Sequence, residues 1–378
     1  MSEIASKTEG ETITIRGLLE RSARTGLKLQ CQDGSFPQRE PSYYGDPQLP
    51  VRTTSQWLRA FTAAYSISKK PKYLEAAHGA ASYLISDSVR PHGFSFHCRN
   101  GSGKDHCNGV FGQAMPVWAL TTAAETLGRT ELRDVAADVA MQHPYDEHLS
   151  LWYRVEIDGD ILTIDRTLNH QLAFAGAVST IGTDQSQATI QEFLDNLERL
   201  IGTRSDGIIR HFARTPFVHT GESTPRNRLV TLRNRVLFEV YRYSPSFRQK
   251  EVSYQATNLF WLAYLKKQCP EHSFWRSELV NQIISVVKTE EFKKAVRRTD
   301  MAFTASPTGF YIAVALAVLD DDESEAMEWI EEQLARSYDL SDKQLIGDVS
   351  DPIKMASNIC YLAEFPNLEA EITVRNRY

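Results

Sequence analysis

Apolar and polar positions along the chain fall into two alternating kinds of segment. Six stretches open on a polar cluster and continue as apolar, small-residue-rich sequence: TTSQWLRAFTAAY from Thr53, NGVFGQAMPVWAL from Asn108, NHQLAFAGAVSTI from Asn169, SYQATNLFWLAYL from Ser253, SPTGFYIAVALAVL from Ser306 and DPIKMASNICYLAEF from Asp351. A helix that is apolar on nearly every side belongs in an interior. Between them lie segments with one apolar stripe and a wide charged face: Thr14 to Lys28, Tyr73 to Ser86, Glu131 to Gln142, Gln187 to Ile201, Phe274 to Lys288 and Ser324 to Ser337. These read as half-buried helices.

Buried and half-buried helices in alternation predict an all-α protein, an (α/α)6 toroid of six helical hairpins. It should form one domain over residues 1–378, with a short flexible N-terminus at 1–12. Because an outer helix precedes each inner one, the inner helices run parallel and their N-termini meet at one mouth. An open solenoid of two-helix repeats is the alternative, and the lack of a polar, end-capping repeat favours closure. Two stretches break the rhythm. Leu151 to Ile164 reads as a β-hairpin turning at Asp158-Gly159, and Gly202 to Lys250, including RLVTLRNRVLFEVYRY, reads as strand or irregular. Each precedes an inner helix, so small β-hairpin insertions are expected at the pocket mouth.

With 378 residues, 42% hydrophobic and 24% charged, the chain can bury a large core. Its net charge of −6 is mild and its Lys and Arg are scattered, which argues against a nucleic-acid partner. The first twelve residues are polar and no run approaches the ~20 apolar residues of a membrane span, so a cytoplasmic protein with no membrane partner is expected. The five cysteines (Cys31, Cys98, Cys107, Cys269, Cys360) are odd in number and widely spread, which fits reduced thiols. Assembly into a homodimer is left as an option.

Converging helix N-termini suit anionic or polar ligands. The sequence around them supplies Arg, His, Asn, Gln and aromatic residues, the mixture that pairs sugar hydroxyls and packs against sugar faces. The candidate substrate-binding residues are Arg52, Trp57, His97, His106, Asn108, Gln113, Trp152, Arg166, Asn169, Arg226, Arg228, Tyr254, Gln255, Asn258 and Tyr311, with Tyr43 and Tyr44 nearby. Thr53, Thr54, Asn169 and Ser253 are also of the types that cap helices.

Two clusters carry the candidate chemistry. In the first, the hairpin delivers Asp165, Arg166, Asn169 and His170 onto one helix start. Asp165 and His170 are candidate acid/base groups, with Arg166 placed to keep Asp165 ionised. The structural alternative is a bracing Asp165–Arg166 pair with His170 in the core. In the second, His97-Cys98 recurs as His106-Cys107 within His97 to Asn108, next to Asp105. This spacing matches no zinc finger, so no metal is expected. Asp105 and Asp351 are candidates for a second catalytic carboxylate. Glycine-rich phosphate loops, HExxH and GxSxG are absent, and no cofactor is expected.

At these clusters the chain resembles the carbohydrate-active six-hairpin superfamily of unsaturated glucuronyl hydrolases, N-acylglucosamine 2-epimerases and uronyl epimerases. Gly112-Gln113-Ala114 followed by Trp118-Ala119-Leu120 is similar to the GQAW-type inner helix of the glucuronyl hydrolases. Ile164-Asp165-x-x-x-Asn169-x-x-Leu172-x-x-Ala175 is similar to their helix bearing a catalytic aspartate. The helix YQATNLFWLAYL from Tyr254 resembles the YHxxH-type helix of uronyl epimerases, with Gln255 in place of a His. The resemblance implies a glycoside hydrolase acting on an oligosaccharide that contains a uronic acid or other anionic sugar, with Asp165, His170 and Asp105 as catalytic residues. A sugar epimerase or isomerase is the alternative, and a non-catalytic glycan- or protein-binding toroid is a third.

Overall fold

A computed structural model describes residues 10–37, 45–215, 243–340, 342–345 and 351–375. After strand β1 (Gly10–Thr14), the helices in chain order are α1 (Ile15–Leu29), α2 (Val51–Ser68), α3 (Pro71–Leu84), α4 (Gly109–Leu127), α5 (Glu131–Gln142), α6 (Leu168–Val178) and α7 (Asp184–Leu200). They continue as α8 (Pro245–Gln268), α9 (Glu278–Ser285), α10 (Glu290–Val296), α11 (Thr308–Ala315), α12 (Glu323–Ser337), α13 (Pro352–Ser357) and α14 (Ile359–Leu362). A π-helical stretch, Leu316–Asp320, prolongs α11.

The apolar helices form the inner ring. In order, α2 packs on α4, α4 on α6, α6 on α8, α8 on α11 and α11 on α14, while α13 and α14 return to α2. The amphipathic helices wrap this ring, and α1 touches both α2 and the last inner pair, which closes the circle. Strand β5 (Glu371–Arg375) pairs antiparallel with β1, from Gly10 opposite Arg375 to Thr14 opposite Glu371, and so joins the two ends. The result is the (α/α)6 toroid the alternation predicts.

Small residues let the inner helices approach: a β-carbon on Gly176 of α6 would lie 2.7 Å from the Trp261 ring of α8. The lumen is filled by rings from α4, α8, α11 and α14. Trp118 lies 5.0 Å from Trp261 and 5.8 Å from Tyr361, and Tyr311 lies 5.1 Å from Phe260 and 4.7 Å from Tyr361. Toward the C-terminal ends of the inner helices, the Arg59 guanidinium sits 3.5 Å from the Trp118 ring and pairs with Glu364, which also takes Lys267. That end is closed by rings and ion pairs.

Strands β2 (Tyr145–Asp146), β3 (Leu151–Val155) and β4 (Ile161–Ile164) form a small sheet ahead of α6, turning at Gly159 with φ 92° as the Asp158-Gly159 signal predicts. In the second expected stretch, residues 202–215 are irregular with isolated bridges, Thr203 to Ile209 and Phe212 to Thr167, as expected. Pro245 to Lys250 are a correction: they belong to the first turns of α8, with Ser244 Oγ accepting from Phe247 N and Pro245 in the first turn. Residues 216–242 lie outside the described residues. The five cysteines are free thiols. No helix among the described residues is long and apolar enough to cross a membrane.

Candidate functional site

The N-terminal ends of the inner helices carry a carboxylate–imidazole pair. Asp165 follows β4, His170 lies in the first turn of α6, and His170 Nδ1 is 2.8 Å from Asp165 Oδ2. Oδ2 also accepts from Val110 N, and Oδ1 accepts from Thr167 N, both at 3.1 Å. Burial works against the charge, but His170 and these two N–H groups outweigh it and hold the carboxyl down at about 2. Asp165 is therefore ionised and bonds His170 Nδ1, which leaves Nε2 as the ring nitrogen directed away from the carboxylate. The His170 side chain keeps 26% exposure against 6% for Asp165, so the imidazole meets solvent and the carboxylate stands behind it.

Backbone conformation makes room for the pair. Asn108 and Gly109 are both left-handed, with φ 57° and 61°, just ahead of α4. A β-carbon at Gly109 would come within 2.4 Å of Asp165 Oδ2, so only glycine fits. Gly109 N donates to Asp105 Oδ1 at 2.9 Å, and Asp105 takes Arg99 Nη2 at 3.1 Å and Arg154 Nη1 at 2.7 Å. Burial raises the Asp105 pKa, but the Gly109 N–H and the two guanidiniums outweigh it and lower the carboxyl below its ordinary value. Asp105 thus ties β3 to the loop ahead of α4.

Phe111 spaces the next groups. Its ring lies 5.3 Å from that of His170, and the Arg52 guanidinium lies 5.0 Å from the Phe111 centroid. Lys354 of α13 stands near Arg52, and burial followed by the Arg52 charge pushes its ammonium down to about 8. His211 is buried beside Tyr254, at 5.1 Å between rings; burial, then Lys250 and His170, hold it well below the ordinary histidine value. Thr53 Oγ1, Asn169 Oδ1, Asn258 Oδ1 and Asp351 Oδ2 are buried without a hydrogen-bond partner among the described residues. Each such atom costs about 1–3 kcal/mol, and the four come from α2, α6, α8 and the cap of α13.

Of the residues singled out in the sequence, Arg52, Asn169, His170, Tyr254, Asn258 and Tyr311 belong to this end of the ring or to the rings beneath it. Others turn elsewhere. Trp57 is fully buried and stacked on Phe36 at 5.2 Å, between ring and wrapping layer. Trp152 is buried against Tyr145, Phe174 and Phe193. Gln113 holds backbone, with Oε1 accepting from Phe96 N and Nε2 donating to the Phe96 and Cys107 carbonyls. Gln255 does the same for Ile209 N and Ile283 O. Apolar inner helices leave their few amides to satisfy the loops packed on them.

Arg166 donates to Thr215 Oγ1 at 2.6 Å, and His170 with two N–H groups does the work expected of it. The capping expectations are also corrected. Thr53, Asn169 and Ser253 lie inside their helices, and Thr54 Oγ1 accepts from Phe36 N. Asp351 caps α13 through Oδ1. His97 bonds Asn100 and His106 bonds the Arg99 carbonyl, with their rings 5.2 Å apart. No group of three or more His, Cys, Asp or Glu among the described residues is arranged to hold a metal. Arg226, Arg228, Tyr43 and Tyr44 lie outside the described residues. Sequence reading missed Lys354, His211 and Phe111; the lysine in the apolar run DPIKMASNICYL was a readable signal, whereas the other two are ordinary core types.

No known family profile matches the chain. Among solved structures, it resembles the cellobiose 2-epimerase from Bacillus thermoamylovorans B4167, with TM-score 0.62 and 11% identity over 92% of this chain and 98% of that one. It also resembles an unsaturated glucuronyl hydrolase specific for heparin, with TM-score 0.59 and 12% identity over 93% and 95%. At such identities the likeness is one of fold, the (α/α)6 toroid, alone. Sequence similarity is far closer to the archaeal glycosylation protein Q of Haloferax volcanii, 35% identical over 347 residues, 89% of this chain and 94% of that protein. With a match of that identity running almost end to end, the chain belongs to the family of the archaeal glycosylation protein Q.

Proposed function

We propose that the protein is a glycan-processing enzyme that moves a proton on a saccharide, with His170 as the acid/base group and Asp165 as the residue that orients it. The observation that carries this reading is the 2.8 Å bond between His170 Nδ1 and an ionised, buried Asp165, with the imidazole half-buried. A carboxylate held at about 2 has no proton to give near neutral pH, so Asp165 is unsuited to be a glycosidase general acid. Asp105 is committed to two arginines and a backbone N–H. Epimerisation or isomerisation beside a sugar carbonyl asks instead for a base near neutral pH, which an imidazole supplies. The unpartnered amide oxygens of Asn169 and Asn258 suit hydroxyl recognition, and the relative's name suggests a substrate met in glycosylation.

Hydrolysis is the second reading. It is favoured by Asp351 Oδ2, a buried carboxylate oxygen without a hydrogen-bond partner that would serve as the second carboxylate, with His170 supplying the proton. Reaction in deuterium oxide separates the two. Epimerisation carries solvent deuterium onto a sugar carbon, whereas hydrolysis shortens the glycan and leaves carbon-bound hydrogen unchanged. His170→Ala and Asp165→Asn are each expected to lose at least ~100-fold in turnover while remaining folded. Full turnover in both variants would end the assignment.

A further inference from the structure

We propose that Arg52 and Lys354 form an anion subsite beside His170, receiving a carboxylate or phosphate carried by the saccharide. This rests on the saccharide reading above and adds the charge of the substrate to it. Among the described residues, three other arginines of the ring and its loops meet carboxylates: Arg59 faces Glu364, Arg99 faces Asp105 and Asp46, and Arg154 faces Asp105. Arg52 and Lys354 are both half-buried, and neither forms an ion pair among the described residues.

Two like charges held together without a counter-ion are costly, and the cost is visible in the Lys354 ammonium, which burial and Arg52 push down to about 8. The nearby carboxylate is no remedy. Asp351 uses Oδ1 to accept the backbone N–H of Lys354 at 3.1 Å, and the two side chains make no salt bridge. Below Arg52 the surroundings are phenolic: Tyr361, Tyr311 and Tyr254 all act on its charge, and the Tyr361 hydroxyl is fixed by Gln56 Nε2 at 3.0 Å. An anion entering from the mouth therefore meets a guanidinium and an ammonium against the single carboxylate of Asp351, whose Oδ1 is already engaged by the Lys354 backbone.

Position ties the subsite to the reaction. Arg52 and His170 both pack on Phe111, at 5.0 Å and 5.3 Å from its ring centre. A saccharide laid along Phe111 reaches both groups, so an anionic substituent at Arg52 puts a carbon of the same or the adjoining sugar near the His170 imidazole. The protein's overall charge of −6 would otherwise repel such a ligand, which makes a local cationic pair the device that admits it.

The test measures binding of glucose, glucuronate and glucose 6-phosphate by calorimetry to the full chain and to its R52Q, K354M and R52K variants. The wild-type protein should bind at least one charged sugar about tenfold more tightly than glucose. The preference for the charged sugar over glucose should vanish in R52Q and K354M and survive in part in R52K. The stronger of the two charged probes identifies carboxylate or phosphate as the source. Equal affinity for all three sugars in the wild type, or a preference that persists in both neutral variants, overturns the subsite while leaving the saccharide reading intact. Tight binding of inorganic phosphate that depends on Arg52 and Lys354, with no binding of any sugar, keeps the subsite and removes the saccharide reading.

Discussion

Gly109 and Asp165 are in backbone-to-carboxylate contact: a β-carbon on the glycine would lie 2.4 Å from Oδ2 of the aspartate and 3.0 Å from Nδ1 of His170. The loop ahead of α4 and the helix α6 are thus fitted to each other through a missing side chain. Gly109→Ala should cost about 1–2 kcal/mol for a left-handed alanine and should displace the pair, lowering turnover more than tenfold. Gly128→Ala is the control, because Gly128 is equally left-handed, with φ 62°, and has nothing within 4 Å of the added carbon. It should lose stability alone. Turnover equal in the two variants would mean that the contact does not position the pair.

His143 sets an acid limit on stability. It is buried, its Nδ1 lies 3.0 Å from the Tyr153 carbonyl, and burial outweighs that bond to lower its pKa to about 4. The unfolded chain takes up this proton near 6.5 and the folded protein only near 4, so protonation favours unfolding. Stability should be full above about pH 6.5 and fall by about 1.4 kcal/mol per unit as pH drops toward 4. His211, also lowered by burial, acts in the same direction. Urea unfolding at successive pH values should show a shallower decline for His143→Gln than for the wild type. Parallel curves would assign the decline to other groups.

Gln171 is a clamp whose removal should be felt twice. Its Oε1 accepts from Trp152 N at 2.9 Å, and its Nε2 donates to the Trp152 and Asp165 carbonyls at 3.0 and 2.6 Å. Gln171→Ala leaves two buried backbone groups unpaired, Trp152 N and the Asp165 carbonyl, while the Trp152 carbonyl keeps Asp165 N at 3.2 Å; the expected loss is at least about 2 kcal/mol, and the backbone that carries Asp165 is loosened. Thermal melts should register the first effect and turnover of the still-folded protein the second. Gln113→Ala should show the stability loss, since Gln113 grips Phe96 and Cys107 in the same way one repeat earlier. Unchanged melting in both would remove the clamp from the account of the fold.

The architecture was legible because its signals are local. Uninterrupted apolar runs such as Ala114 to Leu120 mark helices with no solvent face, and stripes such as that of α7 mark helices with one. The Asp158-Gly159 turn was equally readable, since the left-handed conformation it needs is a property of the glycine itself. The start of α8 was not. PSFRQKEV carries mixed polar and charged residues, and it is helical because Ser244 caps it and Phe247 packs against His211 and Phe212.

For the site, the sequence by itself determined that Asp165 and His170 stand at one helix start, five residues apart, because the hairpin ahead of them and the apolar run after them are both written locally. Only the tertiary structure decided their roles. The protonation of Asp165 depends on Val110 of another repeat, on its burial and on the side toward which His170 turns. The same is true of the residues that exchanged places in the account. Trp57 was drawn into the wall by Phe36, Gln255 by the backbone of Ile209, while Lys354 came to face Arg52 across 302 positions of sequence. Helical periodicity sorts residues into inside and outside, but which polar groups on the inside meet each other is set by closing the ring, and that contact has no periodic trace along the chain.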